Sequence, residues 1–554
     1  MVAGLLSAAV GVALLVRVEA GSPLTTVTSS RTTKQPTRLA SSASRRGRPR
    51  PGEDGPGTLT VCPGPCQTRD VPVCLHEVAG GEGAVDETVD RTGDAPSPDT
   101  VRDRALRRAH EHATTWLHSL GDRPVPARVD ADTVADALGR ELPDGPAEAA
   151  DVVDLLASAG EPGLTAMPSG RFFGFVTGGS HPAALAADWL VSVWDQNAIL
   201  RKVTPAVAAV EEVAAGWLLE LLGLPGGCGV GFVTGATAAN FTGIAAGRDE
   251  LLRRAGWDPV RGLAGGPPLR VVAGRERHDS VELALRYAGL PRPELVDVDR
   301  EGRVVPGALR EALDASPAVP TLLLLQAGNL HSGAFDPFEA CVGLAHEYGA
   351  WVHVDGAFGL WAAASPSHAH LTAGVEAADS WATDAHKTLN VPYDCGIAVV
   401  RDPAAMTAAM GSHGDYLIAD AAGDAIDRVP EMSRRARGVP VWAALRAMGR
   451  SGVAQMVDRM CAQARTFADA IGTIEGAEIL NDVVLTQVCA AFGDDDRTQG
   501  VVARMLRDGT AWTSGSRWHG RAVLRLSVSN AATTDDDVHR TLEALRRAVA
   551  EPQP

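Results

Sequence analysis

Seven short apolar runs recur between residues 205 and 440, with helix-compatible stretches between them. They are Val230 to Thr234, Arg270 to Val272, Glu294 to Val298, Thr321 to Gln326, Ala350 to Asp355, Ser380 to Thr383 and Gly396 to Arg401. Runs this short and this uniformly apolar read as strands buried on both faces, and strands that alternate with helices make a parallel sheet. Sheets of that kind bind ligands where the carboxyl ends of their strands open.

Three segments place chemistry at such ends. Ala350-Trp-Val-His-Val-Asp355-Gly-Ala-Phe-Gly359 delivers one carboxylate, Asp355, at the end of a buried strand. Phe232-Val-Thr-Gly-Ala-Thr-Ala-Ala-Asn-Phe241 puts small residues and a hydroxyl between a strand and a helical stretch that runs through Arg248. Backbone N–H groups at a helix start carry partial positive charge, and small side chains let a phosphate approach them, although such turns also serve close packing. The third segment, Ala382 to Gly396, presents Lys387 directly after His386 and before an apolar turn. A lone loop lysine is most often solvated, so Lys387 takes its meaning from the other two segments.

The combined pattern resembles the group II pyridoxal-phosphate-dependent amino-acid decarboxylases, the family of aromatic amino-acid and glutamate decarboxylases. The resemblance covers roughly residues 105–550. It includes Arg277-His-Asp-Ser-Val-Glu-Leu-Ala284, Arg434-Arg-Ala-Arg437, Phe172-Phe-Gly-Phe175 and the closing Arg525-Leu-Ser-Val-Ser-Asn530. It implies an α/β fold: an aspartate-aminotransferase-like (fold type I) large domain with a mostly parallel seven-stranded sheet, plus a smaller C-terminal α+β domain. It also implies pyridoxal 5'-phosphate as cofactor and decarboxylation of an L-amino acid to its amine and carbon dioxide, with aromatic substrates favoured.

The same resemblance assigns roles. Lys387 is the Schiff-base lysine, and Asp355 partners the pyridine nitrogen, which withdraws electrons best when a buried carboxylate keeps it protonated. His278 stacks on the ring near the substrate carboxylate, and Ala357 packs on the opposite face. Ala236 and Thr237 contact the phosphate from one side, Asp384 and His386 from the lysine side. Tyr416 lies 29 residues after Lys387, in a stretch rich in Gly, Ala and Asp that reads as a mobile loop. It is expected to return a proton to the substrate α-carbon, where relatives that oxidise the amine to an aldehyde tend to carry Phe. The aromatic-specific members have Tyr-Phe-Pro-Thr where this chain has Phe175-Val-Thr-Gly178, so Phe175 and Thr177 mark a pocket floor that differs.

Three rival readings share the cofactor. An aldehyde synthase or aminotransferase of the same fold is disfavoured by Tyr416 and His278. A carbon–carbon lyase acting on a phosphorylated sphingoid base would usually show a membrane anchor of ~20 apolar residues. The third is a non-enzymatic carrier of the cofactor.

Composition bounds the rest. The chain has 554 residues, 45% of them hydrophobic, enough for a large core. Net charge is -17, yet residues 1–60 carry eight Lys or Arg against three Asp or Glu, which leaves the remainder at -22. An acidic body argues against a nucleic-acid partner. No Phe, Trp or Tyr precedes Trp116, so residues 1–95 read as a disordered extension, a start assigned too far upstream, or a poor signal peptide. Residues 100–204 are expected to form a helical segment, with helices over 101–120 and 130–159 and Asp130 or Asp132 as a cap. In relatives this segment wraps around a partner subunit, which implies a homodimer.

Residues 205–440 are then the cofactor-binding domain and 441–554 the small domain. In the small domain strands are expected near Val483 to Ala490 and Arg521 to Ser529, and a last helix over Asp535 to Ala550. Cys62, Cys66 and Cys74 have only His76 nearby and make no zinc set. Cys228, Cys341, Cys395, Cys461 and Cys489 are scattered in apolar contexts, as free thiols of a cytoplasmic protein are. No metal site is expected.

Overall fold

The central sheet is built from β1 (Gly229–Val233), β2 (Arg270–Gly274), β3 (Glu294–Val296), β4 (Thr321–Gln326), β5 (Trp351–Asp355), β6 (Ser380–Asp384) and β7 (Gly396–Val400). Its spatial order is β1-β7-β6-β5-β4-β2-β3. Strands β6, β5, β4, β2 and β3 pair in parallel, and β7 is antiparallel to both β6 and β1. Every run expected from the sequence overlaps one of these strands, with ends within two residues, and the sheet is mostly parallel as expected. The computed structural model describes residues 97–412, 420 and 423–552. The segment 1–95 with its three cysteines, and Tyr416, lie outside the described residues.

Helices α1 (Pro98–Ser119), α2 (Ala131–Leu138), α3 (Ala149–Gly160), α4 (Pro182–Trp194) and α5 (Pro205–Leu221) precede the sheet. Between its strands run α6 (Ala236–Arg254), α7 (Asp279–Tyr287), α8 (Pro306–Asp314) and α9 (Phe338–Glu347), and α10 (Pro403–Met410) follows β7. The single helix expected over 130–159 is two. Asp130 caps α2 by accepting the Thr133 N–H at 2.9 Å, and α2 stops at Gly139, whose φ of 86° suits glycine. Pro143 and Pro146 then lack the N–H groups needed to carry a helix across.

A second, antiparallel sheet follows α11 (Gly438–Gly472). It contains β8 (Ala477–Ile479), β9 (Gln487–Phe492), β10 (Ser514–Trp518) and β11 (Arg521–Ser527) in the order β10-β11-β9-β8, with α12 (Asp495–Asp508) and α13 (Asp535–Ala550) beside it. The strand expected from Val483 starts only at Gln487. Asn481 ties the preceding bend to the strand by accepting the Cys489 N–H and donating to the Gln487 carbonyl. Edge strand β10, Ser-Gly-Ser-Arg-Trp, is too polar to show a strand pattern in sequence. The last helix lies where expected.

Four of the five cysteines in the described residues are buried and all five are unpaired. Burial pushes the Cys341, Cys461 and Cys489 thiols up to about 12. Among the described residues, no helix is long and apolar enough to cross a membrane.

Helix α6 lies directly on β5 and β6. A Cβ at Gly247 would stand 2.5 Å from Cδ1 of the buried Trp351, so the helix approaches the sheet only because this position lacks a side chain. Gly247→Ala gains about 1 kcal/mol of helix propensity but forces overpacking that costs about 1–3 kcal/mol. We expect a lowered thermal midpoint. Gly216→Ala on α5, where a Cβ meets nothing within 4 Å, keeps or raises it.

Candidate active site

Because β1, β6, β5, β4 and β2 run in one direction, Val233, Asp384, Asp355, Gln326 and Gly274 end on a single edge of the sheet. A cavity of about 610 Å³ opens there. Ala236, Thr237, His278, Asp355, Ala357, Asp384, His386 and Lys387 all line it, and so do Phe175 and Thr177. Ten positions spread from 175 to 387 in sequence therefore meet around one space.

Lys387 and Asp384 form its charged centre. Asp384 is almost fully buried; its Oδ2 lies 2.9 Å from Lys387 Nζ and 3.6 Å from His386 Nε2. Burial works against the Lys387 ammonium, but the charge and hydrogen bond of Asp384, with Asp355 behind it, raise its pKa above the ordinary lysine value. Burial moves His386 the other way, towards neutral imidazole. The second Asp384 oxygen, Oδ1, is buried without a hydrogen-bond partner.

The start of α6 is held against Asp384 by a close backbone approach. Gly396 stands opposite both Asp384 and Val233 in the β7 register, and a Cβ there would lie 2.5 Å from Gly235 Cα. Gly235 is the N-cap and offers no capping side chain. Ala236 and Thr237, which open this 19-residue helix, line the cavity, and uncapped N–H groups at a helix start can hold an anion.

Asp355 accepts the Ala357 N–H at 3.1 Å and the Asn240 amide at 3.0 Å. His278 is the N-cap of α7: its Nδ1 accepts the Ser280 N–H at 3.1 Å, which turns the rest of the ring to the cavity. Phe175 has a left-handed φ of 54° and is 58% exposed at the rim; its N–H donates to Ser514 Oγ at 3.0 Å.

Several residues around the cavity carry no role in the sequence reading. Asn240 lies inside the quoted 232–241 segment, but nothing local marks it as a partner of Asp355, 115 residues away. Arg525 opens the closing motif. It is 5% exposed, donates from Nη1 to the Leu330 carbonyl at 3.0 Å, and keeps a buried Nε without a partner at the cavity wall. Tyr393 packs its ring 4.3 Å from that of His386. Asn390 accepts the Gly179 and Ala531 N–H groups at 2.7 and 2.8 Å, joining the lysine turn to the segments before α4 and after β11. Arg434, by contrast, stays outside the cavity and makes a bidentate pair with Glu211 at 2.7 and 2.9 Å.

The family model described as "Pyridoxal-dependent decarboxylase conserved domain" matches residues 134–492. The chain belongs to that family. Tryptophan decarboxylase 1 of Oryza sativa subsp. japonica is 27% identical over 481 residues, covering 80% of this chain and 93% of the rice protein. Cysteine sulfinic acid decarboxylase of Homo sapiens is 28% identical over 406 residues, covering 68% and 81%. The solved structure of Oryza sativa TDC with PLP and tryptamine superposes with a TM-score of 0.76 at 26% identity, over 83% of this chain and 99% of that one.

This decarboxylase is a pyridoxal-phosphate-dependent carboxy-lyase that acts on an amino acid. Its cavity fits the cofactor: an uncapped helix start for a phosphate, a lysine amine for an aldehyde, a carboxylate for a ring nitrogen, and an orphaned acceptor at Asp384 Oδ1. Replacing Asp384 by Asn removes the strongest opposition to burial at Lys387 and leaves only the weaker charges of Asp355 and Tyr393 against it, so its pKa falls. The pH at which cofactor-free protein forms a borohydride-reducible link with pyridoxal phosphate should move down. An unmoved midpoint would show that Asp384 does not set the charge of Lys387.

Proposed function

We propose that the substrate is an amino acid with a single carboxylate and an aromatic or large apolar side chain, and that the active unit is a cytoplasmic homodimer. The observation that carries the substrate reading is the balance of the cavity wall. Arg525 is the only guanidinium among the described lining residues, beside the apolar Met167, Phe175, Val176, Leu330, Phe358 and Tyr393. One buried guanidinium pairs with one carboxylate. An acidic side chain would need a second such partner, and an apolar side chain is stabilised by the remaining wall.

Support for the dimer comes from exposed apolar groups. Trp189, Leu190, Val193 and Trp194 of α4 are exposed, as are Val152, Leu155 and Leu156 of α3, and Phe175 and Tyr393 sit exposed at the cavity mouth. Surfaces of this kind are seldom left to water. The same reading divides the chain into an N-terminal extension (1–95), a helical segment (100–204), a cofactor-binding domain (205–440) and a small domain (441–554).

The residues divide the work as follows. Ala236 and Thr237 hold the phosphate through backbone N–H groups, with His386 on the lysine side. Asp384 belongs to that side too, and as a carboxylate it acts by holding Lys387 rather than by attracting an anion. Asp355 would keep the ring nitrogen protonated, and His278 and Ala357 would pack against the ring. Phe175 and Thr177 form the floor under the substrate side chain. When bound, pyridoxal phosphate takes up the electron pair left as carbon dioxide departs. Arg525 and His278 orient the departing carboxylate, the apolar wall excludes water, Lys387 exchanges with the substrate amine, and Tyr416 returns a proton to Cα.

A panel of the twenty amino acids and cysteine sulfinate, assayed for carbon dioxide release, tests the assignment. Aromatic substrates should lead, and Lys387→Ala should show neither release nor a borohydride-reducible adduct. Release from glutamate or cysteine sulfinate alone would overturn the substrate reading. Tyr416→Phe should slow amine formation by ~10² to 10⁴-fold and divert product to the aldehyde and ammonia, with oxygen consumed and reduced to hydrogen peroxide. Unchanged amine at unchanged rate would assign the proton to another group.

A further inference from the structure

Behind Asp355 lies a continuous file of buried polar groups that the catalytic roles above do not use. Asn240 Nδ2 donates to Asp355 Oδ2 at 3.0 Å, and Asn240 Oδ1 lies 2.9 Å from His353 Nε2. His353 Nδ1 lies 2.8 Å from Ser380 Oγ, which also accepts the Trp351 indole N–H at 2.9 Å. Trp351, Ser380, His353 and Asn240 are all fully or almost fully buried. Room for the file comes from α6, where a Cβ at Gly243 would stand 2.6 Å from His353 Nδ1 and 3.1 Å from Ser380 Oγ.

The ends of the file fix its directions. An indole N–H can only donate, so the Ser380 oxygen accepts from Trp351 and its own proton is free for His353 Nδ1. His353 then carries its proton on Nε2 and gives it to Asn240 Oδ1, which turns the amide N–H of Asn240 to Asp355. A carboxylate, which only accepts, completes the set. Were Asp355 to arrive as a donor, Asn240 and His353 would both reverse, and the Ser380 hydroxyl would be left without an acceptor in a site with no water access. Burial suits this arrangement, since it pushes the His353 pKa down to about 4 and leaves the ring neutral.

We propose that Trp351, Ser380, His353 and Asn240 form a one-way positioning relay that holds Asp355 as an oriented carboxylate beneath the cavity. Each donor polarises the next, so the last N–H, from Asn240, is a stronger partner for negative charge than an isolated amide. The relay works through Asp355 and touches neither cofactor nor substrate. It rests on the reading of Asp355 as partner of the ring nitrogen.

The test compares full-length His353→Leu, which removes the relay's centre, with His353→Gln, whose amide can still donate towards Asn240, and with Asp355→Ala. Pyridoxal phosphate affinity is measured by equilibrium dialysis, and the His353 tautomer by ¹⁵N NMR of the cofactor-free protein. The parent should show neutral His353 protonated at Nε2. His353→Leu should weaken the cofactor roughly tenfold, the scale of one hydrogen bond to a charged group, and lower kcat with little change in KM. His353→Gln should recover most of the affinity.

Parent-like affinity and kcat in folded His353→Leu, or a ring protonated at Nδ1 in the parent, overturns the relay. If His353→Leu does not fold, Ser380→Ala decides. Loss of its hydroxyl should shift the His353 tautomer and weaken the cofactor, and no change in either overturns the proposal. Parent-like affinity in Asp355→Ala overturns the reading of Asp355 itself, and the relay's purpose with it. Parent-like affinity in the His353 and Ser380 variants alone overturns the relay and leaves Asp355 in place.

Discussion

Two buried carboxylates, Asp355 and Asp384, end neighbouring strands on the same edge of the sheet, and the requirement to satisfy both organises everything around the cavity. A buried charge without partners costs several kcal/mol. The chain meets that cost in two ways. Asp384 faces the ammonium of Lys387, a charge partner placed three residues later by the turn that leaves β6. Asp355 faces neutral donors, the Ala357 N–H and the Asn240 amide. One carboxylate thus raises the pKa of the Lys387 amine, and the other remains available for a positive group brought in by a ligand.

Helix α6 connects these solutions. Its uncapped first turn meets the cavity at Ala236 and Thr237, its second turn supplies Asn240 to Asp355, and its glycines at 243 and 247 let it settle onto His353 and Trp351. The helix therefore has little freedom to move away from the sheet without breaking polar and apolar contacts together. Gly396 imposes the matching restriction from β7, where a side chain would drive the turn at Gly235 outward.

The rim obeys different rules. Phe175 is fixed in a left-handed backbone conformation by hydrogen bonds to the second sheet, and Arg525 reaches the cavity from β11. The groups on the sheet edge come from the first sheet and its helices, whereas these two rim groups are set by how the second sheet docks. Relatives as different in their named substrates as a tryptophan and a cysteine sulfinic acid decarboxylase are both similar to this chain.

The sequence by itself determined the strand order of events: seven apolar runs, a carboxylate after the fifth, a His-Lys pair after the sixth, and a small-residue turn after the first. These are local patterns, since a buried strand must be apolar and a helix start near an anion must be small. The split of the 130–159 segment was legible in Gly139, Pro143 and Pro146, although the apolar spacing around them reads as one helix. Strands β8 and β10 were not legible, because short or polar edge strands carry no alternation.

Only the tertiary structure decided the partners. Asn240 meets Asp355 across 115 residues, Arg525 meets the cavity through the β9–β11 pairing, and His353 faces inward to Ser380 on the adjacent strand. A hydrogen bond's direction depends on atoms that sequence spacing does not bring together, so residue types suggested which groups could act and packing alone fixed which ones face each other.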